Sequence, residues 1–175
     1  MSAQRFEVRT EDGWTLDVLR IPATPPLRGA VLLGHAMMVD RRSMDRPAGG
    51  GLASFLAASG WEVFLPDFRG RGDSGPSFSE GGRWSYDEII RFDLPACLRA
   101  VRERLPGAFV WLVGHSLAGH ASVAAAGSGF YDEAPDGHVL LSVNTWLPSL
   151  EPSWWRRRQK ASAILVFAVL KFCFG

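Results

Sequence analysis

The residues best suited to do chemistry lie in Gly114-His115-Ser116-Leu117-Ala118-Gly119. An apolar run, 109–113, precedes them, and a stretch rich in small residues, 117–126, follows. A serine on a sharp turn from strand to helix presents its hydroxyl oxygen outward, and the first helical turn stabilises negative charge beside it. Gly114 lets the chain bend tightly, while Ala118 and Gly119 let the helix approach the strand. The chemistry that follows is attack of the serine oxygen on a carbonyl carbon. The usual pattern is G-x-S-x-G; Ala118 stands at its last glycine and is still small. A plainer reading of the same residues is an ordinary helix N-cap serine after a glycine turn.

Two further groups fall at the ends of apolar runs. Gly34-His35-Ala36-Met37 closes the run 30–33. In sheets with helices on both faces, ligand sites lie outside the carboxyl ends of the strands. A backbone N–H from this loop, together with that of Leu117, would hold the oxyanion of a tetrahedral intermediate. The His35 ring itself reads as a loop brace bonded to backbone groups. Asp67-Phe68-Arg69-Gly70-Arg71-Gly72-Asp73-Ser74 follows the run 61–65. Its glycines permit positive-φ turns, and Asp67 with Arg69 is expected to form a buried pair. The lysine-bearing phosphate loop is absent, so the segment reads as scaffolding for the floor of the site.

The elements that position these groups follow from the hydrophobic pattern. Residues 6–9 and 14–21 read as a hairpin around Glu11-Asp12-Gly13, and 22–29 is a proline-rich connection. The runs 30–33, 61–65, 109–113 and 139–143 read as buried strands. Between them, 52–59 reads as the end of a helix with Gly60 as cap, 86–105 as a helix interrupted or bent near Pro95, and 117–126 as a helix of small residues. Alternating strands and helices predict an α/β fold with a mostly parallel sheet flanked by helices.

Composition narrows the function classes. The 175 residues are 47% hydrophobic, enough for a real core and for one domain. Nineteen Lys and Arg against eighteen Asp and Glu leave a net charge of +1, which speaks against a nucleic-acid binder. Cys97 and Cys173 have neither metal-ligand spacing nor a disulfide framework, so a reducing, cytoplasmic setting is expected. No secretory signal pattern opens the chain. The run 161–170 is apolar with basic flanks, yet its length falls short of the ~20 residues a spanning helix needs. It reads as a lid or interfacial helix, with membrane contact through 156–170 confined to the surface.

The run 30–33 with Gly34-His35, the Asp67–Ser74 segment and the Ser116 motif resemble the α/β-hydrolase superfamily. Within it, the chain is similar to the bacterial hydrolases related to serine aminopeptidase and lysophospholipase. The resemblance implies an α/β-hydrolase core over 1–145 and the start of a helical cap over 146–175. It also implies no cofactor or metal, and a small-molecule substrate with an ester, amide or related acyl bond. Carried over by position, Ser116 is the nucleophile and the backbone N–H groups of Met37 and Leu117 are the oxyanion donors. In this fold an acid and then a histidine follow the serine. Here His120 lies one turn along the next helix, and His138 opens a strand at the wrong edge. Asp132, Glu133 and Asp136 share that edge, and no histidine follows Glu151. The triad is therefore not completed, and the last strands of the sheet are expected to be missing. The run 139–143 would then be an exposed edge strand, open to self-association. The alternative is a non-catalytic remnant or interaction module that keeps the scaffold.

Overall fold

The computed structural model describes residues 2–143 and, beyond them, Trp154 and Arg158. The chain divides into two units, 1–143 and 144–175. In the second, Trp154 and Arg158 are helical and one turn apart, with the guanidinium 5.4 Å from the indole centroid. The rest of the expected cap over 146–175, including the run 161–170 and Cys173, lies outside the described residues.

The first unit holds one six-stranded sheet. A hairpin of β1 (Gln4–Arg9) and β2 (Thr15–Ile21) is followed by β3 (Gly29–Gly34), helix α1 (Leu52–Ala58) and β4 (Trp61–Pro66). Next come α2 (Tyr86–Glu88), α3 (Leu94–Arg104), β5 (Val110–His115), α4 (Leu117–Gly127) and β6 (Gly137–Leu141). The strand order is β1-β2-β4-β3-β5-β6. Strands β4, β3, β5 and β6 run parallel, and the β1–β2 hairpin joins β4 antiparallel. This is the mixed, mostly parallel, helix-flanked sheet of an α/β-hydrolase arrangement.

Alternation along the strands sends side chains to two cores. Ala30, Leu32, Phe64, Val110 and Leu112 pack with Leu94, Leu98, Val101, Ala118, Ala121 and Ala125 of α3 and α4. Val31, Leu33, Val63, Leu65 and Val113 pack on the opposite face with Met44, Ala53 and Ala57. Because β3 lies between β4 and β5 and is covered on both faces, all six of its residues are buried. That is why it reads as an unbroken apolar run.

Three boundaries differ from the sequence reading. Strand β5 runs on through Gly114 and His115, because Gly114 pairs with both Gly34 and Leu140 and keeps the ladder going. Strand β6 starts two residues earlier than the run 139–143, with Gly137 opposite Trp111, and the chain leaves the sheet at Ser142, where φ is +54°. The interruption expected near Pro95 falls just before it rather than at it, as a π-helical turn over Ile89–Asp93 that runs directly into α3, and Pro95 sits in the first turn of α3.

Candidate active site

Loops after β3 and β5 leave the sheet side by side, since Gly34 is in register with Gly114. They then diverge. The chain after β3 goes to α1 on one face, and the chain after β5 goes to α4 on the other. This is a topological switch point, where α/β sheets open a crevice at the carboxyl ends of the strands.

Ser116 lies in that opening with φ +48° and ψ −104°. A serine that caps a helix has extended backbone and accepts an N–H bond from the first turn. Ser116 does neither: its side chain makes no capping bond. The turn is held from outside the helix by the Ser116 N–H, bonded to the Leu141 carbonyl at 2.8 Å, and from within it by the first helical bond, from the His120 N–H to the Ser116 carbonyl at 3.0 Å. Among the described residues, the non-glycine residues with positive φ are Met38, Ser116 and Ser142. They sit just past the carboxyl ends of β3, β5 and β6, and such strain gathers at functional sites.

Close packing makes the turn possible. A Cβ on Gly114 would meet the backbone of Gly119 at 2.4 Å, so only glycine lets α4 fold back against β5. Ala118, which stands where the motif usually has glycine, is fully buried. Its methyl lies 2.5 Å from where a Cβ on Gly34 would sit. The absence of a side chain at Gly34 is what accommodates Ala118.

The neighbouring loop carries Met37. Among the described residues, neither the Met37 N–H nor the Leu117 N–H is spent on a hydrogen bond. His35 is fully buried. Its Nδ1 lies 2.8 Å from the Ala36 carbonyl, and its Nε2 accepts the Phe68 N–H at 3.1 Å. Both ring nitrogens are therefore used on backbone, and the imidazole braces the loop. Burial pushes its pKa down, against the Ala36 carbonyl and the charges of Asp67 and Asp40, which favour protonation.

The segment after β4 forms the floor, with one change from the expected pairing. Asp67 does not pair with Arg69. Strand β4 ends at Pro66 and the chain turns, so the two-residue spacing no longer places them on one face. Asp67 instead accepts the Arg41 backbone N–H at 2.7 Å and holds the Arg41 guanidinium at 2.9 Å. Arg69 pairs with Asp93 and with Asp12 of the hairpin turn, both at 2.7 Å. Burial raises the pKa of Asp93, with the Arg69 contacts opposing it. Gly72, at φ +50°, faces the Asp67 carboxylate so closely that a Cβ there would lie 2.0 Å from it. No pattern in the sequence singles out Arg41. Its side chain is 9% exposed and that of its neighbour Arg42 is 78% exposed, a contrast no local pattern announces.

A cleft of about 360 Å³ opens beside the turn, lined by Ser43, Met44, Arg46, Leu52, His115, Leu141 and Ser142. His138 pairs with Leu112 near the amino end of β6, away from Ser116. Cys97 is buried and its thiol is pushed well up by burial, so it is not a competing nucleophile.

A parallel sheet whose switch point carries a strained serine between strand and helix defines the α/β-hydrolase class, esterase- and lipase-like in fold. Residues 25–170 match the family described as serine aminopeptidase, S33, and the chain belongs to that family. It is similar to mouse lipase member M, at 32% identity over 127 residues, covering 65% of this chain and 30% of that protein. Triacylglycerol lipase 2 of Arabidopsis thaliana is 31% identical over 158 residues, covering 80% of this chain and 37% of that one. The chain thus spans about a third of the length of the curated relatives it matches. A thermostable carboxyl esterase from Bacillus coagulans shares the fold with a TM-score of 0.70 at 16% identity, covering 98% of this chain and 51% of that one.

Proposed function

We propose that this chain carries the nucleophile and oxyanion half of a serine hydrolase acting on ester, amide or related acyl bonds. Ser116 Oγ attacks the carbonyl carbon, and the N–H groups of Leu117 and Met37 receive the developing oxyanion. The observation that carries this reading is the backbone of Ser116: positive φ, no capping bond, at the switch point of the sheet. The lipases and esterases among its relatives favour an acyl substrate. A serine needs a base oriented by an acid. We assign that role to neither His120 nor His138, the histidines that follow Ser116 in the sequence. The second reading is a scaffold without activity.

The test is labelling of the natural gene product with a fluorophosphonate, read by peptide mass spectrometry, alongside hydrolysis of p-nitrophenyl esters. An adduct on Ser116, lost with ester hydrolysis in Ser116→Ala, is the expected result. Absence of both from folded wild-type protein refutes the hydrolase reading and leaves the scaffold.

A further inference from the structure

We infer that Asp67 is a positioning residue for the oxyanion loop, an inference that rests on the proposed role of the Met37 N–H. The segment 36–40 has two fixed ends, and both are held by the chain that follows β4. At the near end, His35 clasps the Phe68 N–H through Nε2 and meets the Ala36 carbonyl through Nδ1. At the far end, the Asp67 carboxylate takes the Arg41 backbone N–H at 2.7 Å, and the same carboxylate pairs with the Arg41 side chain.

Asp67 is itself immobilised. It is 1% exposed, its other oxygen accepts the Asp73 N–H at 3.1 Å, and its carbonyl accepts the Ser74 hydroxyl at 2.7 Å. Between these two ends, Met37, Met38 and Val39 are exposed, and Met38 has φ +67°. A short segment with a strained residue and exposed apolar side chains has little local reason to keep one shape. The two clasps supply that reason at the ends, and the Arg71 guanidinium adds an exposed contact to the Met38 sulfur at 3.6 Å between them. Misplacing a reacting group by about 1 Å costs roughly a hundredfold in rate, so a loosened loop acts on the transition state rather than on substrate binding.

Asp67→Asn is the direct test. Its amide keeps one acceptor but not the charge and second acceptor that the Arg41 and Asp73 contacts use. Asp17→Asn is the control, because Asp17 also pairs with the Arg41 guanidinium but does not touch the loop backbone. Amide hydrogen exchange over 36–42 should rise about tenfold or more in Asp67→Asn, relative to the core strands, and stay near wild type in Asp17→Asn. On wild type that labels at Ser116, Asp67→Asn should lower kcat about ten- to hundredfold at unchanged KM, with less than about a threefold change for Asp17→Asn. A loosened loop with wild-type kcat, equal effects from the two variants, or unchanged exchange each overturns the inference. If wild type does not label, the hydrolase reading fails on its own, and exchange alone decides whether Asp67 holds the loop.

Discussion

Moving one methyl group between Gly34 and Ala118 tests the packing that seats the Ser116 turn on the sheet. In Gly34→Ala the new Cβ would lie 2.5 Å from the Ala118 methyl and 3.2 Å from the Phe68 ring. Carbon atoms in contact prefer about 3.5–4.0 Å, so strand and helix must part by an ångström or more, and such overpacking costs about 1–3 kcal/mol. Ala118→Gly removes a fully buried methyl, about 0.8 kcal/mol, and places glycine in a helix, about 1 kcal/mol. If the two changes acted independently, the double variant would lose about 3–5 kcal/mol. With both changes present, the methyl introduced by Gly34→Ala occupies the space the Ala118 methyl left. Only the helix penalty then remains, about 1 kcal/mol, and the coupling is about 2–4 kcal/mol. Urea unfolding midpoints at constant m-value give all four stabilities. Additivity within about 0.5 kcal/mol would refute the reasoning, because it would mean that strand and helix do not share this space.

Ser116→Gly should stabilise the fold by about 1 kcal/mol while abolishing fluorophosphonate labelling, since glycine relieves the positive φ; a loss of stability would show that the turn is unstrained. The pKa of His35 is lowered by burial, so the folded ring is neutral where the unfolded ring takes up a proton. Its contribution to stability is complete above the ordinary histidine value and is lost as pH falls below it, and His138 is shifted in the same direction. His35→Gln keeps an acceptor for Phe68 and should flatten the fall in urea midpoint between pH 7 and pH 5; an unchanged slope would exclude this role. Arg69→Leu leaves the fully buried Asp93 carboxylate without its partner and should cost about 3–5 kcal/mol, much of it recovered by adding Asp93→Leu. Val139→Lys on β6, which edges the sheet among the described residues and leaves Val139 exposed, should shift any self-associated protein toward monomer in size-exclusion chromatography.

Much of the scaffold is legible in the residues alone. The apolar runs, the glycine punctuation and the period changes mark strands and helices because each reflects a local demand: burial on two faces, a turn, an amphipathic stripe. The Ser116 motif is legible for the same reason, since the turn needs small residues at fixed spacing. Strand ends were less visible. Strand β5 continues through Gly114 and His115 because neighbouring strands pair with them, and no local pattern carries that pairing.

The tertiary structure decided the ionic partners and the meaning of the one departure from the motif. Asp67 takes Arg41 across 26 residues, and Arg69 takes Asp12 and Asp93, rather than the partner two residues away. A charge pairs with whatever the fold brings within reach, and the turn after β4 separated the nearest candidates. Ala118 is permitted by Gly34, on a strand far away in the chain, because the two share one volume between sheet and helix. Residue type and spacing determine what a short segment does, whereas shared space and shared charge are settled only when distant segments meet.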